Sequence, residues 1–192
     1  MSLPENEVLD ALRDAGAILS GHFQLTSGRH SDTYVQCARV LEDPALTTRL
    51  AAAMAEQVAG RGVDVVAAPA VGGVIIGFAV AQALGVRFIF SEREHGVMTF
   101  RRGFGVTPGE RVLVVEDVVT TGGSVAEVIG LVRAAGAETV AVTSIIDRGG
   151  DKAFDVELLP LLQLEVESME PHECRLCSAE IPIDSPGSRR LA

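Results

Sequence analysis

The sequence predicts an α/β fold: a mostly parallel sheet flanked by helices, with a small hood built from the N-terminal and C-terminal segments. Three observations carry that expectation. Short β-branched runs alternate with stretches whose apolar residues recur at helical spacing, the pattern of βαβ units. The run Val112–Val115 is apolar without alternation, which suits a strand covered on both faces. Pro/Gly or Thr/Gly turns follow two of the strands, at Pro69–Gly73 and Thr120–Ser124, and the C-terminal ends of parallel strands are where such sheets take ligands. The chain reads as one domain over residues 1–192, with the hood drawn from about 1–42 and 147–192.

Taken in order, Ser2 and Glu5 have capping-box spacing, and Val8, Leu9 and Leu12 follow at helical intervals. An amphipathic helix is expected over Leu3–Ala15, ended by Gly16. In Gly21–Pro44, Phe23 and Leu25 alternate with polar residues, as do Tyr34 and Gln36. Between them Thr26–Asp32 is a hydroxyl-rich turn bearing Arg29 and His30, so a hairpin-like lid is expected. Asp43 as N-cap and Pro44 at the first helical position open a helix whose Leu46, Leu50, Met54 and Val58 share a face. A buried strand over 63–68 runs into Pro69–Gly73, then a helix over 74–84 stopped by Gly85, then a strand over 86–90. Ser91–Pro108 holds Arg93, His95, Arg101 and Arg102 among three glycines and reads as a long mobile loop, or a loop with a short hairpin. A strand over 111–115, a helix over 124–135 and a strand over 139–146 follow, and Phe154–Val166 reads as a closing strand or sheet edge.

Composition narrows the function. The 192 residues are 47% hydrophobic, enough for one full core, and no apolar run reaches membrane-spanning length, so a soluble cytoplasmic protein is expected. A net charge of -10 disfavours a nucleic-acid surface. Three cysteines do not make a disulfide framework, and Cys174 and Cys177 with His172 fall short of a fourth zinc ligand nearby, so no metal is expected there. Lys152 is the one lysine; every other basic side chain apart from histidine is arginine.

The chemistry concentrates in Val112–Ser124, VLVVEDVVTTGGS. Small hydroxyl and glycine residues at a strand-to-helix turn aim several backbone N–H groups at one phosphate. Glu116 and Asp117 at the head of that turn repel phosphate but suit ribose hydroxyls or a hydroxyl-bound Mg²⁺. The lysine-bearing P-loop pattern is absent, which argues against an ordinary nucleoside triphosphatase.

This string resembles the phosphoribosyl pyrophosphate (PRPP) motif of the type I phosphoribosyltransferases: an apolar strand, two acids, two small apolar residues, then a Thr/Gly/Ser turn. The segment Ser27, Gly28, Arg29, His30, Ser31 with Tyr34 after it resembles the N-terminal signature of the orotate branch of that family. The resemblance implies orotate and PRPP as substrates, Mg²⁺ arriving with PRPP and without a firm protein ligand, and a homodimer with shared active sites, acting on neither nucleic acid nor membrane. It implies that PRPP is held by Glu116, Asp117, Val118, Val119, Thr120, Thr121, Gly122, Gly123 and Ser124, with Ala70, Val71 and Gly72 in the pyrophosphate loop and Arg93 beside it. Orotate falls to Ser27, Gly28, Arg29, His30, Thr120 and Arg148. Family members carry lysines at places matched here by Thr26, Gly72 and a position near Val97, so Arg101 and Arg102 are expected to supply the missing charge, acting on the partner subunit's site. A purine-type phosphoribosyltransferase and a PRPP-sensing regulator are the alternatives; the Gly21–Tyr34 segment argues against the first and the acidic balance against the second.

Overall fold

The computed structural model describes residues 3–25 and 27–186. Ser2, expected in a capping box, and Thr26, matched to a family lysine, lie outside the described residues. Six strands form the main sheet in the order β5-β4-β3-β6-β7-β8. They are β3 (Val65–Pro69), β4 (Arg87–Glu94), β5 (Val97–Phe100), β6 (Arg111–Val119), β7 (Glu138–Asp147) and β8 (Leu158–Gln163). All neighbouring pairs are parallel except β4 with β5, a hairpin. That hairpin resolves the arginine-rich segment into its loop-plus-hairpin form.

Strand alternation feeds two cores. Val66, Leu113, Val115 and Ile145 face one side, packed with α1 (Glu5–Asp14), α3 (Pro44–Gln57) and α4 (Gly72–Leu84). Val65, Ala67, Val112, Val114 and Val142 face the other, packed with α5 (Gly123–Ala134). Every side chain from Val112 to Val115 is fully buried, as an unalternating run requires. Each contributes about 1.5–3 kcal/mol of burial, so this stretch of β6 is firmly held in the sheet.

Asp43 caps α3 by accepting from the N–H groups of Ala45 and Leu46 at 2.8 and 3.2 Å, with Pro44 at the first helical position. A short α2 (Ala38–Leu41), not anticipated from sequence, sits before it and buries Val40. α1 starts later than expected, with Pro4 at its N-cap, and buries Val8 and Leu12.

The hood is narrower than its expected boundaries. α1 and α2 belong to the main core, and β8 joins the main sheet beside β7. What stands apart is the hairpin of β1 (Ile18–Gln24) and β2 (His30–Val35), clasped by the C-terminal segment. Bridges pair Phe23 with Asp184 and His30 with Met169.

α4 enters against β6 with no room to spare. A Cβ on Gly73 would lie 2.9 Å from the carbonyl oxygen of Val115 and 3.1 Å from the Cβ of Ala68. The backbone oxygen of a buried strand cannot move aside cheaply. Gly73→Ala is therefore expected to destabilise the fold by about 1–3 kcal/mol, read as a lower urea midpoint at unchanged m value.

Candidate functional site

The strand order reverses between β3 and β6, and the crevice at that switch point lies where ligands bind in open α/β sheets. Three loops converge there: Ala70–Val71 after β3, Thr120–Gly122 after β6, and Arg148–Gly150 after β7.

Glu116 and Asp117 are not at the head of a loop, as the sequence suggested. β6 continues through them to Val119, paired with β7 at Glu116↔Ser144, Val118↔Ile146 and Val119↔Asp147. Both carboxylates are thus presented by the rigid sheet. The Asp117 carboxylate covers the N-terminus of α4 so closely that a Cβ on Gly72 would meet its Oδ1 at 2.7 Å. Glu116 Oε1 accepts from the Asp117 N–H at 3.2 Å, and Asp117 Oδ1 accepts from the Val118 N–H at 2.8 Å. Burial, then the neighbouring Asp117 charge, pushes the Glu116 carboxyl up to about 9. Adjacent acids in so dry a place cannot both ionise freely. The same surroundings, burial first and then the charges of Asp117 and Glu116, push the Cys37 thiol well above its usual range.

Beyond the acids, Gly122 takes φ +75° and turns the chain into α5. A Cβ there would also strike the Phe154 ring at 2.4 Å, so glycine is required twice over. No side chain caps α5 and its first turn holds no acid, leaving its N-terminal amides open to an anion. A cavity of about 260 Å³ lies on this turn, lined from Val118 to Val125 and walled by Arg93, Glu116 and Glu127. Arg93 pairs with Glu127 at 2.9 Å.

Arg148 follows β7, its backbone N–H bonded to the Val119 carbonyl at 2.9 Å. No ion pair joins Arg148 to Asp147 among the described residues: Asp147 pairs with Lys152 at 2.7 Å and accepts from the Gly149 N–H at 3.0 Å. Arg148 Nε is buried and unpartnered, and burial holds the guanidinium pKa below its usual value, with Tyr34 opposing that shift. A half-buried cation beside an aromatic ring, with a donor to spare, is suited to a planar anionic ligand.

Four expected residues have other partners. Arg29 reaches Ser168 and the Glu170 carboxylate in the C-terminal segment. His30, expected against the base, is a correction: it is buried with Nδ1 3.0 Å from His22 Nε2 and 3.3 Å from Cys177 Sγ. Tyr34, near the other end of β2, packs its ring against Phe23 and is the hairpin residue whose electrostatics couple to Arg148. Arg101 and Arg102 both pair with Glu92, at 2.8 and 3.1 Å, away from the Gly122 turn in this conformation. Ser27 and Gly28 form the hairpin turn, with Gly28 at φ +82°.

The absence of a fourth ligand near Cys174 and Cys177 is also corrected. The fold brings His22 and His30 to the two cysteines, while His172 is exposed and faces Glu173. The pair Cys-x-x-Cys was visible in sequence. Its histidines lie some 150 residues earlier on β1 and β2, and no local spacing announces them.

The phosphoribosyl transferase domain family matches residues 38–159. The chain is 48% identical over 186 residues to the orotate phosphoribosyltransferase of Desulforamulus reducens, covering 96% of this chain and 97% of that one. It is 51% identical over 190 residues to that of Heliobacterium modesticaldum, covering 97% and 100%. The chain belongs to the orotate phosphoribosyltransferase family. Among solved structures, the orotate phosphoribosyltransferase of Aeropyrum pernix aligns with a TM-score of 0.67 at 29% identity, over 82% of this chain and 94% of that one. Likeness to orotate phosphoribosyltransferases extends beyond the span of the domain family, into the hairpin and the tail.

The raised Glu116 carboxyl makes stability depend on pH with a definite sign. Between its ordinary value and about 9 the folded chain holds a proton that the unfolded chain has released, so stability falls as pH rises through that window. Glu116→Gln cannot ionise and removes the dependence. Its thermal midpoint is expected to match wild type near pH 4 and to exceed it at pH 8 by at least about 1 kcal/mol, or about 2–4 °C. Parallel pH profiles for the two proteins, followed by calorimetry, would refute the assignment.

Proposed function

We propose that this chain transfers the 5-phosphoribosyl group from PRPP to orotate, giving orotidine 5′-monophosphate and pyrophosphate on the route to UMP. The observation that carries this reading is near-half identity to orotate phosphoribosyltransferases over almost the whole chain. The bond from ribose C1 to a pyrophosphate oxygen breaks, and a bond from C1 to an orotate nitrogen forms. C1 becomes electron-poor in between, and orotate is already an anion, so the chemistry asks for charge placement rather than a strong base.

The residues divide accordingly. Open amides from Thr120 to Ser124, with Val118 and Val119 behind them, hold the ribose phosphate at the N-terminus of α5. Glu116 and Asp117 face the ribose hydroxyls, with the raised Glu116 carboxyl able to donate a hydrogen bond and the Asp117 carboxylate next to it on the strand. Ala70, Val71, Gly72 and Arg93 take the pyrophosphate side. Arg148, Tyr34, Thr120, Ser27 and Gly28 take the base.

Mg²⁺ fits this donor set. Oxygen atoms dominate here, the ion would arrive on the PRPP phosphates, and the Asp117 carboxylate offers a hard oxygen beside them. When bound with PRPP the ion neutralises charge building on the leaving pyrophosphate.

The chain functions as one domain under a hood formed by 18–35 and 167–186, in the cytoplasm. No described helix is long and apolar enough to cross a membrane, and the net charge is -10. Its working form is a homodimer. Val71, Ile75 and Phe78 leave an exposed apolar stripe along α4, 86%, 51% and 59% accessible, which a second copy covers. Arg101 and Arg102 then reach the partner's pyrophosphate. Their exposed pairs with Glu92 are each worth about 0–1 kcal/mol, so a doubly charged leaving group displaces them at little cost.

Purified chain with PRPP and Mg²⁺ is expected to release pyrophosphate with orotate and not with adenine, hypoxanthine or uracil. In the same assay Arg148→Ala is expected to raise the KM for orotate at a cost of about 2–5 kcal/mol, a factor of about 30 or more, with the KM for PRPP little changed. Turnover with a purine alone, or an effect confined to PRPP, overturns the base-side assignment.

The shared site is tested by mixing Arg101→Ala/Arg102→Ala with Asp117→Asn, each nearly inactive alone, under conditions that exchange subunits. Mixed dimers are expected to regain activity, because one of their sites combines an intact loop with an intact Asp117. A mixture as inactive as its parents, despite exchange verified by mass spectrometry, excludes action across the interface.

A further inference from the structure

Four side chains from opposite ends of the chain meet beneath the hairpin: His22 on β1, His30 on β2, and Cys174 and Cys177 around α6 (Arg175–Ser178). We propose that they form a structural zinc site that locks the C-terminal segment onto the hairpin.

The ligand atoms already stand within a few tenths of an ångström of tetrahedral separations for the four pairs in closest approach. His22 Nε2 lies 3.0 Å from His30 Nδ1, 3.5 Å from Cys174 Sγ and 3.7 Å from Cys177 Sγ, and Cys177 Sγ lies 3.3 Å from His30 Nδ1. With Zn–S about 2.3 Å and Zn–N about 2.0–2.1 Å, a tetrahedron sets its ligand atoms about 3.3–3.8 Å apart. All four atoms lie within 4.8 Å of one another. Two thiolates and two imidazoles are a ligand set of structural zinc, softer than Mg²⁺ or Ca²⁺ accepts.

The hydrogen bond behind His22 agrees. His22 Nδ1 lies 2.7 Å from the Ile181 carbonyl. A carbonyl only accepts, so Nδ1 carries the proton and Nε2 turns its lone pair into the cluster. His22, His30 and Cys174 are buried, while Cys177 reaches the surface and provides the entry path.

The packing shows what the ion would do. Between residues 171 and 186 Cys174 is the one buried side chain, and Ile181 and Ile183 are exposed. So little apolar burial does not hold a segment this long, even with backbone bonds such as Gln24 N–H to the Asp184 carbonyl and Asp184 N–H to the His22 carbonyl, both 2.8 Å. Metal binding supplies the missing free energy: two thiols lose their protons, the zinc takes two sulfur and two nitrogen ligands, and four protein ligands leave no position open for substrate.

The test uses the full untagged chain, purified under reducing conditions. Mass spectrometry of the metal content is expected to find about one zinc per chain, lost in Cys174→Ser/Cys177→Ser. Should that variant not fold, reduced wild-type apoprotein titrated with Co²⁺ decides. Thiolate-to-cobalt charge transfer and tetrahedral d–d bands, both displaced by Zn²⁺, support the site. Chelation is expected to open 167–186 to protease while the main sheet stays protected. Reduced wild type that neither retains zinc nor gives tetrahedral cobalt bands overturns the proposal, as does a Cys174–Cys177 disulfide in the native protein with no metal bound after reduction.

Discussion

Two adjacent carboxylates carried by a central strand of the sheet, just past its four fully buried valine and leucine positions, set the terms for everything around them. The strand needs Val112–Val115 to anchor it, and the acids need a neighbour that offers N–H groups without bulk. Gly72 and Gly73 at the head of α4 meet that need, one against Asp117 and the other against the Val115 carbonyl and Glu116. Burial and the neighbouring Asp117 push the Glu116 carboxyl up to about 9, so the two acids differ in environment although they stand one residue apart. The position is costly to the fold and for that reason well defined: rigid backbone, rather than a flexible loop, aims both groups.

Around this fixed centre the cationic groups are held loosely. Arg93, Arg101 and Arg102 sit in exposed ion pairs with Glu127, Glu92 and Glu94, contacts worth little in water. Arg148 differs, being half-buried with an idle Nε. The contrast separates a half-buried guanidinium without a partner at Nε from exposed ones already engaged with carboxylates.

Much of this was legible in the sequence because it is local. The run from Val112 to Ser124 spells strand, acids, turn and helix in thirteen consecutive letters, and Asp43-Pro44 spells a helix start. Other features were not, for identifiable reasons. The extension of β6 through Glu116 and Asp117 depends on pairing with β7, a partner more than twenty residues away. The limits of the hood depend on β8 finding the main sheet, which leucine-rich composition does not reveal. The roles expected of Arg29 and His30 came from the resemblance of their turn to a family signature. Their side chains are claimed by Ser168, Glu170, His22 and Cys177, three of them over a hundred residues distant. A site assembled from both ends of a chain leaves no spacing to read.

The near-absence of lysine has a consequence of its own. The single ammonium, on Lys152, is 14% exposed and donates to the carbonyls of Gly149 and Gly150 while pairing with Asp147. Arginine is not a target of acylation, so enzymes and electrophiles that silence lysine charge find little purchase on the crevice. The cations expected at pyrophosphate and base are also the kind that stay protonated at any pH a cell reaches. The electrostatics of the cleft are in this respect insulated from acyl-donor supply, a channel through which lysine-rich sites are readily adjusted.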